Sequence, residues 1–111
     1  MLVKLFDGRI RTSPAMLERV RQRVSHALDH LAQRVIEVTV RLADENSHKP
    51  SRTARSGAAR GGPDKRCRIV AQIAGTRPIV VEAHHADYYR AVDAAAAKLE
   101  RAAEHRRTRS F

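Results

Sequence analysis

The feature that most limits how this chain can fold is an apolar stripe with helical period in residues 86–107. Its members recur at alternating spacings of three and four residues, which places them on one side of an α-helix. They are Tyr88, Val92, Ala95, Leu99 and Ala102 or Ala103. Asp87 can cap the first turn through its carboxylate, and the arginines at the C-terminal end interact favourably with the helix dipole. We therefore expect a long helix whose stripe faces a core.

The two flanks of this helix differ in charge. At about 100° per residue, its cations fall on one side of the stripe and its carboxylates on the other. The basic flank is Arg90, Lys98, Arg101 and His105, and the acidic flank is Asp93, Glu100 and Glu104.

Another helix, earlier in the chain, is expected from Pro14 to about Ala32, because Ser13 is a good N-cap and Pro14 suits the first helical position. Its apolar stripe is Leu17, Val20, Val24, Leu28 and Leu31, with Met16 and Ala27 at the border. A separate basic flank holds Arg19, Arg23, His26 and His30, while Glu18, Gln22 and Asp29 lie on the remaining side. This helix therefore repeats the arrangement of the helix at residues 86–107: an apolar stripe with one basic and one acidic flank.

Four strands are predicted from short apolar runs and period-2 alternation, at residues 2–6, 35–43, 66–74 and 79–84. The inward side of the second strand is Ile36, Val38, Val40 and Leu42, and that of the third is Cys67, Ile69, Ala71 and Ile73. Gly75 suits a hairpin between the last two. The resulting α+β fold has the order β-α-β-β-β-α, with both helices on one face of a four-stranded, mainly antiparallel sheet.

We expect residues 1–111 to form a single domain with a disordered basic loop at 45–64. That loop is rich in Ser, Gly, Pro and Arg and is longer than a hairpin needs. An unselected solvated insertion is the alternative. Cys67 is the only cysteine, so no internal disulfide can form, and we expect a cytoplasmic protein with no membrane segment and no signal peptide.

Neither catalysis nor metal binding is indicated. His26 and His30 have the i, i+4 spacing of two ligands, but no glutamate stands beside them and no third ligand is evident. Ser25, His26 and Asp29 lie too close on one helix to form a triad. Cys67 is expected to be a buried structural thiol. We therefore predict a non-enzymatic protein without cofactor or metal.

The net charge of +10 favours a polyanionic partner, and nucleic acid is the commonest one. A basic surface that serves only solubility is the alternative. Placed side by side, the two basic flanks would form one continuous positive surface. With only two tyrosines and two phenylalanines, the chain offers little for stacking single-stranded bases, so we expect it to contact the backbone of structured RNA.

The chain resembles the family of ribosome hibernation-promoting factors and ribosome-associated translation inhibitor A, also called sigma-54 modulation proteins. The likeness is specific in DYYRAVDAAAAKLERA at residues 87–102, and is supported by TSPAMLERV in the first helix and GPDKRCRI at the third strand. It implies the same fold order and a protein that binds the small ribosomal subunit in the mRNA and tRNA channel. Translation would be blocked by steric occlusion, in stationary phase or stress.

The family's basic positions fall on Arg23 and His26 in the first helix and on Lys98, Arg101 and His105 in the second. Histidine stands where lysine is usual at positions 26 and 105. Together with the charge pattern, this gives a set of expected RNA-binding residues. They are Arg19, Arg23, His26, His30, Lys65, Arg66, Arg68, Arg90, Lys98, Arg101, His105, Arg106 and Arg107.

The resemblance also bears on partners. The long family members carry a further domain that pairs ribosomes, so participation of this chain in ribosome dimers would need a separate dimerising factor. We expect the free protein to be a monomer. Two other functions stay open at this point: a general binding module for structured, duplex-like RNA, and a regulator that binds a transcription factor.

Overall fold

The computed structural model describes residues 1–7, 13–45 and 64–109, and the side chains within them up to residue 106. The six main elements are two helices and four strands, in the order predicted from the sequence. They are β1 (Leu2–Phe6), α1 (Pro14–Ala27), β2 (Val35–Asp44), β3 (Lys65–Ile73), β4 (Ile79–His85) and α2 (Tyr88–Arg109).

The four strands form one mixed sheet with the order β1-β2-β3-β4. β1 and β2 are parallel because α1 carries the chain back across the sheet between them, with Val3 opposite Val38. β2–β3 and β3–β4 are antiparallel, with Val40 opposite Ile69 and Cys67 opposite Ala83. The α+β class is therefore confirmed, although one of the three strand pairs is parallel.

Both helices lie against one face of the sheet and share a single core with it. The inward residues of β3 are all buried, as their alternation predicts, and Val38, Val40 and Leu42 bury the matching face of β2. Val20 and Val24 of α1 and Val92 and Leu99 of α2 are at most 1% exposed. The opposite face of the sheet carries exposed apolar side chains, among them Leu2, Phe6 and Val80.

In the apolar stripe of α1, Met16 is buried and Leu17 only half-buried, the reverse of the predicted arrangement. Two further details differ from the sequence prediction. The first α-helix ends at Ala27, and a 3₁₀ turn at Asp29–Leu31 follows it. Leu31 donates to the Leu28 carbonyl at 2.9 Å, and this tighter turn lets both leucines stay buried. A repeat of three residues fits either kind of helix, so the apolar pattern alone cannot distinguish them.

The second difference is Ile36, which was predicted to face inward but is 62% exposed. The pairing register of β2 shifts between Val35 and Glu37, so Ile36 is the extra residue of a bulge and Val35 takes the buried position instead.

Connections at both ends of β3 fix its neighbours. The turn after β3 contains Gly75 at φ +80°, as the hairpin prediction requires. At the other end, the Glu45 amide donates to the Asp64 carbonyl at 2.9 Å, so the β2–β3 ladder continues to the base of the basic loop. Of the loop predicted to be disordered at 45–64, the two end residues are described and joined by this hydrogen bond, and residues 46–63 lie outside the described residues.

Candidate nucleic-acid interface

The basic flank of α1 faces the acidic flank of α2. Arg19 donates from Nε and Nη2 to the two carboxylate oxygens of Asp93, at 3.1 and 2.9 Å. Arg23 approaches the same carboxylate at 3.3 Å. Hydrogen bonding from Arg19 holds the pKa of Asp93 below its usual value and raises the pKa of the guanidinium itself.

The row of contacts between basic and acidic side chains continues along the helices. His26 Nε2 lies 3.8 Å from a Glu100 carboxylate oxygen, and His30 Nε2 lies 3.6 Å from one of Glu104. Arg19 and Asp93 are 74 residues apart, and both histidine pairs keep that offset, so the two elements run side by side in the same direction. We call this row the interhelix seam.

The interhelix seam corrects the expectation of one continuous positive surface. The two basic flanks are not adjacent, because the carboxylates of α2 lie between them. Opposite charges attract, so the packing that turns the acidic flank of α2 toward α1 is favoured over one that places two basic flanks together. Around the seam, the charge of α1 is balanced by Asp93, Glu100 and Glu104.

The basic flank of α2 points away from the seam. Arg90, Arg101 and His105 are exposed, and their side chains have no hydrogen-bond or ion-pair partner within the described residues. Lys98 is also exposed and donates to the Glu82 carbonyl of β4 at 2.8 Å, which fixes its ammonium at the edge of the sheet. This outward flank is an uncompensated positive surface.

The three cations predicted on β3 are paired with carboxylates. Lys65 Nζ lies 2.8 Å from Asp44 and 3.3 Å from Asp64, and the hydrogen bond that Lys65 donates to Asp44 raises the pKa of the lysine above its ordinary value. Arg66 approaches Glu45 at 3.5 Å, and both Arg66 and Arg68 lie within 3.8 Å of Glu82. These three residues therefore present less net charge than the sequence suggests.

The last turns of α2 contribute Arg106, whose guanidinium donates to the carbonyls of Arg77 and Pro78 at 2.6 and 3.3 Å. The side chain of Arg107 lies outside the described part of the chain. Beside Arg106 opens a cleft of ≈ 1130 Å³, and Arg34 and Arg77 line it together with Arg101 and His105. Sequence reasoning missed Arg34 and Arg77, because each stands alone in a connection with no periodicity around it.

Other chemistry in the described residues is limited. Burial raises the pKa of the Cys67 thiol to about 12, which suits a structural residue and not a nucleophile. Among residues 1–7, 13–45 and 64–106, His, Cys, Asp and Glu side chains form no group of three that could hold a metal ion. No helix in the described ranges has the length and apolar character needed to cross a bilayer.

Comparison with known proteins identifies the fold and the family. A search of curated protein sequences finds no significant match. Among solved structures, a ribosomal subunit interface protein from Coxiella burnetii superposes with a TM-score of 0.76 at 16% identity, covering 98% of this chain and 100% of that one. The N-terminal domain of Thermus thermophilus Protein Y gives a TM-score of 0.69 at 22% identity, covering 95% and 98%. The family model described as sigma 54 modulation protein / S30EA ribosomal protein matches residues 6–110, and the chain therefore belongs to this family, as its last helix predicted.

Proposed function

We propose that this protein binds the small ribosomal subunit through phosphates of its RNA and inhibits translation by occupying the mRNA and tRNA channel. The observation that carries the proposal is the outward basic flank of α2, Arg90, Lys98, Arg101 and His105, in a member of a ribosomal protein family. Unpaired cations on a rigid helix can contact phosphate oxygens without first leaving a carboxylate.

The basic flank of α1 takes a secondary role in this proposal. Arg19 and Arg23 share the single carboxylate of Asp93, so either guanidinium can turn to a phosphate while the other keeps Asp93 paired. His26 and His30 extend this row along the seam. Lys65, Arg66, Arg68, Arg106 and Arg107 complete the proposed RNA-contacting set at the two ends of the sheet.

We propose steric occlusion as the mechanism because it requires only a rigid domain that binds in the channel. No chemical step is involved, and we propose a cytoplasmic, non-enzymatic protein that is monomeric when free. We further propose that it preserves idle ribosomes in stationary phase or stress, and that any pairing of ribosomes is carried out by a separate dimerising factor.

Co-sedimentation with ribosomes on a sucrose gradient tests the proposal. We expect the wild-type protein to travel with the small subunit, and the Lys98→Glu, Arg101→Glu variant to stay at the top. The matched control is Lys4→Glu with Arg21→Glu, which changes the net charge by the same amount at exposed positions outside the proposed surface. Circular dichroism establishes that each variant folds.

Three outcomes would contradict the proposal. Wild-type protein remaining at the top at physiological salt would exclude stable ribosome binding. Equal losses in the variant and its control would show that only net charge matters. The third outcome is full competition by excess random duplex RNA, which would favour a general RNA-binding module. We expect ribosome binding to be undiminished by that RNA.

The first half of the family description, sigma 54 modulation protein, favours one alternative, a regulator that binds a transcription factor. The same variants separate it from ribosome binding. A purified transcription factor that binds the wild-type protein and the Lys98→Glu, Arg101→Glu variant equally well, while neither binds ribosomes, would support the alternative.

A further inference from the structure

The cleft beside the C-terminal turns of α2 shares Arg101, His105 and Arg106 with the proposed RNA-contacting set, but its other lining residues have no role in that function. Three separate parts of the chain form its walls: the connection before β2, the β3–β4 hairpin and the last turns of α2. At ≈ 1130 Å³ it reaches the size of small-molecule pockets, which span about 300–1,000 Å³. It is therefore large enough for a mononucleotide.

Hydrogen bonds between the walls hold the cleft in shape. The Ala74 amide donates to the Arg34 carbonyl at 2.8 Å, and Arg34 Nη2 donates back to the Ala74 carbonyl at 3.4 Å. From the opposite wall, Arg106 donates to the Thr76 hydroxyl at 3.2 Å and to the carbonyls of Arg77 and Pro78. The hairpin is thus tied to both neighbouring elements.

The lining is strongly cationic. Arg34, Arg77, Arg101 and Arg106 all line the cleft, with His105 beside them, and no carboxylate is among its lining residues within the described part of the chain. A helix C-terminus favours nearby cations, but this accounts only for the residues of α2. Arg34 and Arg77 come from other elements, so the convergence needs another explanation.

Two of these guanidinium groups are available to a ligand. Arg77 and Arg101 are exposed, and their side chains have no hydrogen-bond or ion-pair partner within the residues described. Each offers a planar fork of N–H donors that matches phosphate oxygens. Arg106, already bound to the hairpin carbonyls, adds positive charge without having to change partners.

Apolar residues line the rest of the cleft. Leu31 and Ile73 are buried, Ala102 is half-buried and Pro78 is exposed. A lining with both apolar and cationic residues suits a ligand that has a flat, weakly polar part joined to an anionic part. Nucleotides have this construction, with the base at one end and the phosphate at the other.

We propose that this cleft binds the phosphate group of a nucleotide, either free or at the 5′ end of an RNA. Arg77 and Arg101 hold the phosphate oxygens, and Pro78 and Ala102 offer apolar contacts to the ribose and base. The proposal is independent of ribosome binding, because the ligand is a single nucleotide unit and its binding is measured without ribosomes.

Isothermal titration of the purified full chain with ATP, in the absence of divalent cations, is the first test. A 5′-phosphorylated RNA trinucleotide and its 5′-hydroxyl form are the second pair of probes. We expect saturable binding of ATP or of the phosphorylated trinucleotide, and at least tenfold weaker binding of that ligand by the Arg77→Ser, Arg101→Ser variant, since each lost charge-assisted contact costs about tenfold. The Arg21→Ser, Arg41→Ser control loses the same charge elsewhere and should bind within about twofold of wild type.

Comparison of the probes identifies the source of the phosphate. Binding of ATP assigns the cleft to a free nucleotide, whereas binding of the 5′-phosphorylated trinucleotide alone assigns it to an RNA end. Failure of both probes to bind at millimolar concentration would overturn the proposal. Equal weakening by the variant and its control would also overturn it, because binding would then reflect general charge. A failed ribosome sedimentation experiment would leave these titrations unaffected.

Discussion

At the residue scale, Gly75 is the described residue whose backbone conformation most restricts which amino acid can replace it. Its φ of +80° is unfavourable for residues with a Cβ, yet a Cβ there would meet no atom within 4 Å. Gly75→Ala should therefore lower the free energy of unfolding by about 1–2 kcal/mol through backbone strain alone. Chemical denaturation measures this change. Gly75→Asn is the control and should cost less, since asparagine tolerates this region, and an equal cost for both would contradict the explanation.

Cys67 provides a second prediction at this scale. The thiol is fully buried and burial raises its pKa to about 12, so almost none of it is thiolate at pH 8. We expect a thiol reagent such as DTNB to modify the native protein no faster than the protein unfolds, and the unfolded protein in guanidinium chloride within seconds. Rapid labelling of the native protein at pH 8 would contradict this burial.

At the scale of elements, the interhelix seam contributes to stability in a pH-dependent way. The pKa of Asp93 is lowered in the folded state, so its contribution is present above the unfolded pKa and is lost as the pH falls through the folded one. A double-mutant cycle of Arg19→Gln and Asp93→Asn should give a small favourable coupling energy at pH 7, since the pair is exposed to screening by solvent.

The same cycle at acidic pH is the control for this prediction. As the pH falls through the folded pKa of Asp93, the carboxylate loses its charge and the coupling energy should decrease toward zero. A coupling that is the same at both pH values would mean that the two side chains stabilise the seam by packing and not by charge.

Most elements could be predicted from the sequence, because a period of two or 3.6 depends on local geometry. The exposure of Ile36 could not be predicted, since the bulge that causes it depends on the pairing of β2 with β3. The seam was also missed. Each helix's flanks follow from its own sequence, but which flank turns to the neighbour is decided by charge complementarity between helices. The constant offset of 74 residues between Arg19 and Asp93 and between His26 and Glu100 was nevertheless visible in the sequence.

For the whole molecule, the net charge of +10 overstates the positive charge that is available to bind a polyanion. Cations that already pair with carboxylates bring little net charge to RNA, whereas unpaired ones displace counterions from phosphates. Arg19 is an example of a paired cation, because it binds Asp93. Arg101 is an example of an unpaired cation, because it has no partner in the described ranges. The distribution of charge pairs, and not the total charge, should therefore set the salt dependence of binding.

This difference gives a prediction for ribosome or rRNA-fragment binding measured across a salt series. Each neutralised phosphate contributes roughly −0.7 to −0.9 to the slope of log K against log salt. Arg101→Ala should reduce the steepness by about one such contribution, and Arg19→Ala should reduce it less, because Asp93 already neutralises that guanidinium. Arg21→Ala, at an exposed position outside the proposed surface, should leave the slope unchanged. Equal reductions for Arg19→Ala and Arg101→Ala would mean that the seam opens on binding, so that both helices contact phosphates as fully as the sequence first suggested.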